Sequence, residues 1–196
     1  MIDTMKKNIQ EYTYTIAISG AADTSLCGEG AMPLAMQLGQ ELTAHGVTAI
    51  LGAVTGFPLW VAKGVHDSGG TTIGFSPAAG KRDHIEIHRL PTHFFNTIVY
   101  TGFGYAGSNL LMIRSAQAVI IGCGRVGTIN ELTIALQEKK PIGVLQGPWK
   151  TDEFIQQLLD ETQYTHRELV LFDNDPRRLV ERILKKIREQ EQNDKV

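Results

Sequence analysis

Cysteine is scarce, long apolar runs are missing and the charges nearly cancel, and each shortage closes off a class of function. The two cysteines, Cys27 and Cys123, each follow a predicted strand rather than forming a C-x-x-C pair, so neither a zinc site nor a redox motif is supported. Both would still lie at the same edge of a parallel sheet and so near one another. No uninterrupted apolar run approaches the ~20 residues that cross a bilayer, which excludes a helical membrane span. The first residues, Met1 to Glu11, are polar and lack the apolar centre of a signal peptide, so a cytoplasmic location is expected. Nineteen basic against 21 acidic side chains leave a formal charge of −2, without the basic excess that draws proteins to nucleic acid. No internal repeat or low-complexity block stands out.

What is present is a regular alternation of apolar runs and helical periodicity. With 196 residues and 42% hydrophobic content, the chain is long enough for one substantial core, and we expect a single domain over residues 1–196 with a frayed polar tail at 189–196. Predicted strands are Tyr14–Ser19, Thr48–Val54, Thr72–Ser76, Thr97–Thr101, Ala118–Ile121, Ile142–Gln146 and Leu169–Phe172. Predicted helices are Ala31–His45, Leu59–Asp67, Ser108–Ser115, Thr128–Glu138, Asp152–Thr162 and Pro176–Gln190, the last opened by Asp175-Pro176. Breaks at His45-Gly46, Ser68-Gly-Gly70, Lys140-Pro141 and Gly147-Pro148 separate them. The fold class is α/β: a doubly wound, mainly parallel sheet of about seven strands with helices on both faces. Residues Ser76 to Asn96 break the alternation as a long connection of the kind that serves as a binding loop or lid.

The chemistry concentrates in Ala118-Val-Ile-Ile-Gly-Cys-Gly-Arg-Val-Gly-Thr-Ile-Asn-Glu131, a buried strand running through a glycine turn into a helix that Thr128 opens. Unpaired first-turn amides and the positive end of the helix dipole would then face an anion above the strand. The first predicted strand also ends in a small-residue loop, Ser19 to Gly30, which does not match G-x-G-x-x-G. Its glycines serve tight turns alone, or two loops converge where strand order reverses. Glu131, one turn beyond Gly127, is either a helix-start stabiliser or a site carboxylate. His84, His88 and His93 crowd the long loop, and His84 with His88 would align on a helical face; with no cysteine or paired carboxylate at ligand spacing, no metal is expected there. Tyr100, Phe103 and Tyr105 would stack on a base or join the core, with Tyr100 placed in the core.

Gly124-Arg-Val-Gly-Thr-Ile-Asn-Glu131, preceded by Met112-Ile-Arg-Ser-Ala-Gln-Ala-Val-Ile-Ile121, resembles the P-G-G-x-G-T-x-x-E region of the LOG family, once called lysine decarboxylase-like, and its Rossmann-like relatives that include the molybdenum cofactor carriers. Val61-Ala-Lys-Gly64 and Ser68-Gly-Gly70 resemble the same family's second helix and third strand. The resemblance implies a Rossmann-like fold, nucleotide binding and, through helices flanking the site, a homodimer or larger symmetric homo-oligomer. LOG enzymes hydrolyse the N-glycosidic bond of nucleoside 5′-monophosphates, which implies a catalytic Glu131 and an Arg-Lys pair. Counting back without a gap, that pair's positions hold Ser108 and Asn109, while the family's Pro and second glycine are replaced by Cys123 and Arg125. Arg125 or Arg114 would have to supply the missing charge, and Arg114 reads more simply as a salt-bridge partner.

The expectation is therefore a protein that binds a nucleotide monophosphate or a pterin-type ligand at the carboxyl edge of the sheet, with little or no hydrolysis; the alternative is a nucleoside 5′-monophosphate phosphoribohydrolase. Gly124, Gly127 and Thr128 are assigned to the phosphate, Arg125 beside them either obstructs its approach or supplies it a guanidinium, and Glu131 is assigned to ribose hydroxyls or a reacting centre. Gly20, Ala21 and Asp23 form the opposite wall, with Gly102, Ser108 and Asn109 at the border. No membrane or nucleic-acid partner is expected.

Overall fold

The computed structural model describes residues 13–193, so the polar segment Met1 to Glu11 and the last three residues of the expected tail lie outside it. Seven strands, β1 (Thr15–Ser19), β2 (Thr48–Gly52), β3 (Thr72–Ser76), β4 (Thr97–Tyr100), β5 (Ala118–Ile121), β6 (Ile142–Leu145) and β7 (Val170–Asp173), form one sheet in the order β4-β3-β2-β1-β5-β6-β7. Every pairing is parallel. The chain builds outward from β1 to β4, then crosses back to lay β5 against the free side of β1. Strand order thus reverses between β1 and β5, where a crevice opens at the carboxyl ends.

Helices α1 (Ala31–Ala44), α2 (Phe57–Asp67) and α6 (Pro176–Asn193) cover one face; α3 (Gly104–Arg114), α4 (Val126–Gln137) and α5 (Thr151–Glu161) cover the other. The two-residue period of a strand divides the core accordingly. Ile16 and Ile18 of β1, with Ala118 and Ile120 of β5, pack under α1, α2 and α6, whereas Ala17, Val119 and Ile121 pack under α3, α4 and α5. Because both faces are covered, β5 and β6 are buried throughout and read as unbroken apolar runs rather than as alternation.

The element boundaries differ from expectation mainly at helix starts. α2 begins at Phe57, with Pro58 in its first turn, α3 at Gly104 and α4 at Val126 rather than Thr128. Glycines and proline in a first turn hide helical periodicity there, although the missing amide of proline costs nothing at that position. At the other end, α6 continues to Asn193, so residues 189–193 are helical rather than frayed; Lys186 holds Glu189 at 3.0 Å and the Tyr14 hydroxyl donates to Glu191 at 3.0 Å.

The turn from β7 into α6 is fixed by Asp173, a buried carboxylate. Arg178 donates to its two oxygens at 2.8 and 2.5 Å, Arg182 at 2.9 Å and the Asp175 amide at 3.0 Å. The Arg178 hydrogen bonds, with those of Asp175 and Arg182, hold this carboxyl far below the ordinary carboxylate range against the opposing effect of burial. A depressed folded value stabilises the fold at neutral pH and loses that effect as pH falls below the unfolded value near ~4. Asp173→Asn is therefore expected to lower stability by about 2 kcal/mol at pH 7, a charge-assisted hydrogen-bond scale, with the gap narrowing by pH 3. Urea unfolding at both pH values checks this, and a gap of equal size at the two would contradict it.

Candidate functional site

The β1 and β5 loops are locked together before they diverge. Gly122 N donates to Ser19 O at 3.0 Å, Ala21 N to Cys123 O at 2.7 Å, and Phe57 N to Ala21 O at 2.9 Å. Phe57, fully buried, lies with its ring between Gly20 and Gly122. A Cβ at Gly20 would come within 2.6 Å of that ring, and one at Gly122 would enter it, so only glycine fits at either place. The ring also packs edge-on against Trp149 at 5.7 Å.

Beside these joined loops lies a cavity of about 290 Å³. Gly20, Ala21, Ala22 and Asp23 form one wall, Arg125, Gly127, Thr128 and Glu131 the opposite one, and Ser108 and Asn109 of α3 a third. Ile18 of β1, Gly52 at the end of β2 and Val54 after it, Pro58 of α2, Phe75, Pro77, Tyr105 and Met112 complete it as a largely apolar surround. Two expected residues stand elsewhere. Gly102 packs by Ala79 and donates its amide to Ala78 O at 3.0 Å, outside the cavity lining. Gly124 faces away because its amide is taken by Thr151 Oγ1 at 2.8 Å; it borders a separate apolar groove of about 530 Å³ with Leu26, Val126, Ile129, Trp149 and Phe154.

Arg125 is the N-cap residue of α4, and its amide donates to Thr128 Oγ1 at 3.3 Å. Its guanidinium reaches across to the first loop, pairing with Asp23 at 3.0 Å and donating to Ser25 Oγ at 2.6 Å. The Ser25 amide in turn donates to Asp23 at 3.0 Å; that bond, the Ser25 hydroxyl and then Arg125 hold the exposed Asp23 carboxyl below its ordinary value. Arg125 is the sole lysine or arginine among the described residues lining the cavity. Arg114 lies outside it, 3.5 Å from Glu138, which caps the C-terminal end of α4, as a salt-bridge partner.

Glu131 stands at the buried end of the cavity with both oxygens held by neutral donors. The Ser19 hydroxyl donates to Oε2, and the Asn109 amide, in the orientation that matches donors to acceptors, donates to Oε1 at 3.1 Å and to the Tyr105 carbonyl at 3.1 Å. Burial pushes the Glu131 carboxyl up to about 7, with the Ser19 hydrogen bond acting in the opposite sense. Near neutral pH it is thus poised between donor and acceptor, the condition for moving a proton.

Several of these residues escaped the sequence reading. Ser19, the polar last residue of an otherwise apolar strand, was legible as a signal; Val54, Pro58, Phe75 and Met112 were not, since apolar residues after or beside strands look like core. The cysteines differ more. Cys27 and Cys123, expected to be neighbours without a motif, form a disulfide between the two walls. In the long connection, a π-turn spans Asp83–Ile87, and His84 is buried with Nδ1 2.8 Å from Ser76 Oγ and Nε2 2.9 Å from the Pro91 carbonyl. Both ring nitrogens are engaged, so His84 and His88 do not face a common metal, and no cluster of three potential metal ligands occurs among the described residues. Of this connection, Pro77 lines the cavity. Tyr100 lies half-buried on β4, the edge strand, with its ring 5.7 Å from His84 rather than in the core.

Solved structures share this architecture. The molybdenum cofactor binding protein of Rippkaea orientalis superposes with a TM-score of 0.75 at 23% identity, covering 90% of this chain and 99% of that one. The molybdenum cofactor carrier protein of Chlamydomonas reinhardtii gives 0.67 at 26% identity, covering 89% and 99%. The DNA processing protein A of Helicobacter pylori gives 0.62 at 16% identity, covering 88% and 81%, a likeness of fold alone. In sequence, an uncharacterized protein of Archaeoglobus fulgidus is 30% identical over 133 residues, 68% of this chain and 80% of its own length. No described helix is long and apolar enough to cross a membrane. Residues 13–180, which carry all seven strands and both loops of the cavity, match the model of the SLOG cluster4 family, and the chain belongs to that family.

Proposed function

We propose that this protein binds one small phosphate-bearing ligand, a nucleoside monophosphate or a pterin-type molecule, and holds it rather than cleaving it. The observation that carries this reading is the cavity's charge pattern: a buried Glu131 held by neutral donors, and a single cation, Arg125, already spent on Asp23 and Ser25. A hydrolase of the LOG type would need positive charge where Ser108 and Asn109 stand, and losing one electrostatic stabiliser of a transition state costs about 10² to 10³ in rate. A volume near 290 Å³ suits one compact ligand. Its phosphate would rest on the first-turn amides of α4 at Gly127 and Thr128, where the dipole favours an anion. Glu131 would meet the ligand's hydroxyls or heterocycle, bounded by Gly20, Ala21 and Asp23 opposite and by Asn109 beside it. Likeness to proteins named as molybdenum cofactor binders or carriers supports a pterin-type ligand. Exposed Phe103, Leu110 and Leu111, before and along α3, suit association into a symmetric homo-oligomer.

Phosphoribohydrolase activity is the second reading, favoured by Glu131 with its carboxyl near 7. Native mass spectrometry of the purified protein, followed by incubation with the nucleoside monophosphates, separates the two. A retained ligand mass or thermal shift without released base is expected. Free base and ribose 5-phosphate, formed by the wild type and abolished in Glu131→Ala, would replace binding by hydrolysis as the function.

A further inference from the structure

The loop that forms one wall of the cavity is largely exposed from Ala22 to Gly30, with Cys27 as its buried anchor at 1% exposure. Cys27 is bonded to Cys123, which follows β5 and immediately precedes the turn into α4. Without that bond, the Asp23–Glu29 stretch would be held by the Arg125 contacts to Asp23 and Ser25 and by close packing of Gly28 on Pro148. The Arg125 and Asp23 side chains are 39% and 61% exposed, so water and salt screen their attraction. Gly28 and Gly30, both at positive φ, follow the anchor, where the backbone takes turns that other residues resist.

We propose that Cys27–Cys123 is a redox latch on the cavity: oxidised, it fixes the wall against α4; reduced, it leaves that wall free to open. The reductant is a dithiol, such as a protein of the dithiol oxidoreductase class. In a transient local opening that exposes the buried Cys27, one of its thiolates attacks Cys27 Sγ, forming a mixed disulfide and expelling Cys123 as thiolate. That leaving group lies three residues before α4, toward the positive end of the dipole, which favours the thiolate. The second thiol of the reductant then displaces Cys27. Two electrons and two protons pass to the pair, and the reductant leaves as its own disulfide. That a ligand is held or released with the wall rests on the binding reading above; the movement of the wall does not.

Hydrogen exchange of the oxidised protein, of the protein after dithiothreitol, and of the Cys27→Ser/Cys123→Ser double variant tests the latch, with thiol alkylation and mass spectrometry reporting the redox state. Residues 21–30 and 122–126 should exchange at least ~10-fold faster in the reduced and double-variant proteins, while β2 and β3 keep their protection. If the variant does not fold, the dithiothreitol arm alone decides. Equal loop exchange in both states, loss of protection across the whole sheet together, or a disulfide that dithiothreitol cannot open without unfolding would each reduce the bond to a structural staple and overturn the proposal. Affinity for adenosine and guanosine 5′-monophosphate, measured alongside, should fall on reduction. Loop release with no binding of any nucleotide or pterin in either state would leave the latch standing and remove the binding reading instead.

Discussion

Phe57→Ala is expected to be the most damaging single substitution near the cavity, lowering stability by about 3 to 5 kcal/mol through lost burial and the void left behind. In a chain of this length that corresponds to a fall in Tm of roughly 6 to 20 °C. The size follows from where the ring sits. It is fully buried, fills the gap that Gly20 and Gly122 leave for it, and stacks edge-on against Trp149, so its removal opens a space bounded by backbone that cannot collapse without breaking the Gly122–Ser19 and Ala21–Cys123 hydrogen bonds. Because those bonds also set the start of both walls, the variant should lose hydrogen-exchange protection at residues 20–23 and 122–125. Ile183→Ala on α6, which packs against Gly143 of β6 well away from the cavity, serves as the control. It should lower Tm while leaving loop protection unchanged. Equal loop loosening in both variants would deny Phe57 its particular role in setting the two loops.

Glu131→Gln is expected to have the opposite sign. Burial raises the folded carboxyl to about 7 from an ordinary value of 4.5, so the folded state resists ionisation that the unfolded chain accepts. Below about pH 4 both states are protonated and the group is neutral in its effect; between roughly 4.5 and 7 only the unfolded chain ionises, and wild-type stability declines; above 7 the penalty levels off near 3 kcal/mol. Glutamine cannot ionise. The variant should therefore match the wild type at pH 4 and exceed it at pH 8.5 by up to roughly 3 kcal/mol, or about 6 to 12 °C in Tm. The same substitution keeps one oxygen to accept from Asn109, while its new amide nitrogen donates to the Ser19 hydroxyl oxygen, so the shape of the cavity's buried end is retained. A stability difference that stays flat from pH 4 to pH 8.5 would mean that Glu131 is solvated rather than buried, and the poised proton in the cavity would go with it.

The site was legible in the sequence to the extent that its residues are local. Gly127, Thr128 and Glu131 follow one strand within ten residues, and their glycine turn and helical spacing mark them together. Gly20, Ala21 and Asp23 could be paired with them because a parallel sheet puts every βα loop at the same edge. Gly124 was misplaced for a reason outside its own neighbourhood: Thr151, 27 residues on, captures its amide and turns it toward the other groove. Gly102 stands outside the cavity because its amide turns back to the Ala78 carbonyl, although Tyr105, three residues on, lines it. His84 and His88 have the spacing of a helical pair, yet the hydroxyl of Ser76 and the carbonyl of Pro91 occupy both nitrogens of the first.

Strand and helix order, the parallel sheet and the gathering of the two loops at its carboxyl edge were determined by the sequence alone, because apolar period and glycine breaks act over a few residues and parallel strands leave few ways to connect them. The tertiary structure decided what depends on residues far apart in the chain: Ser19 meeting Glu131 across 112 residues, Cys27 meeting Cys123 across 96, and Arg125 reaching back to Asp23. No local pattern records such meetings. They arise where β5 returns to lie against β1, and there burial rather than spacing sets the charge on Glu131 and the hold on the cavity wall.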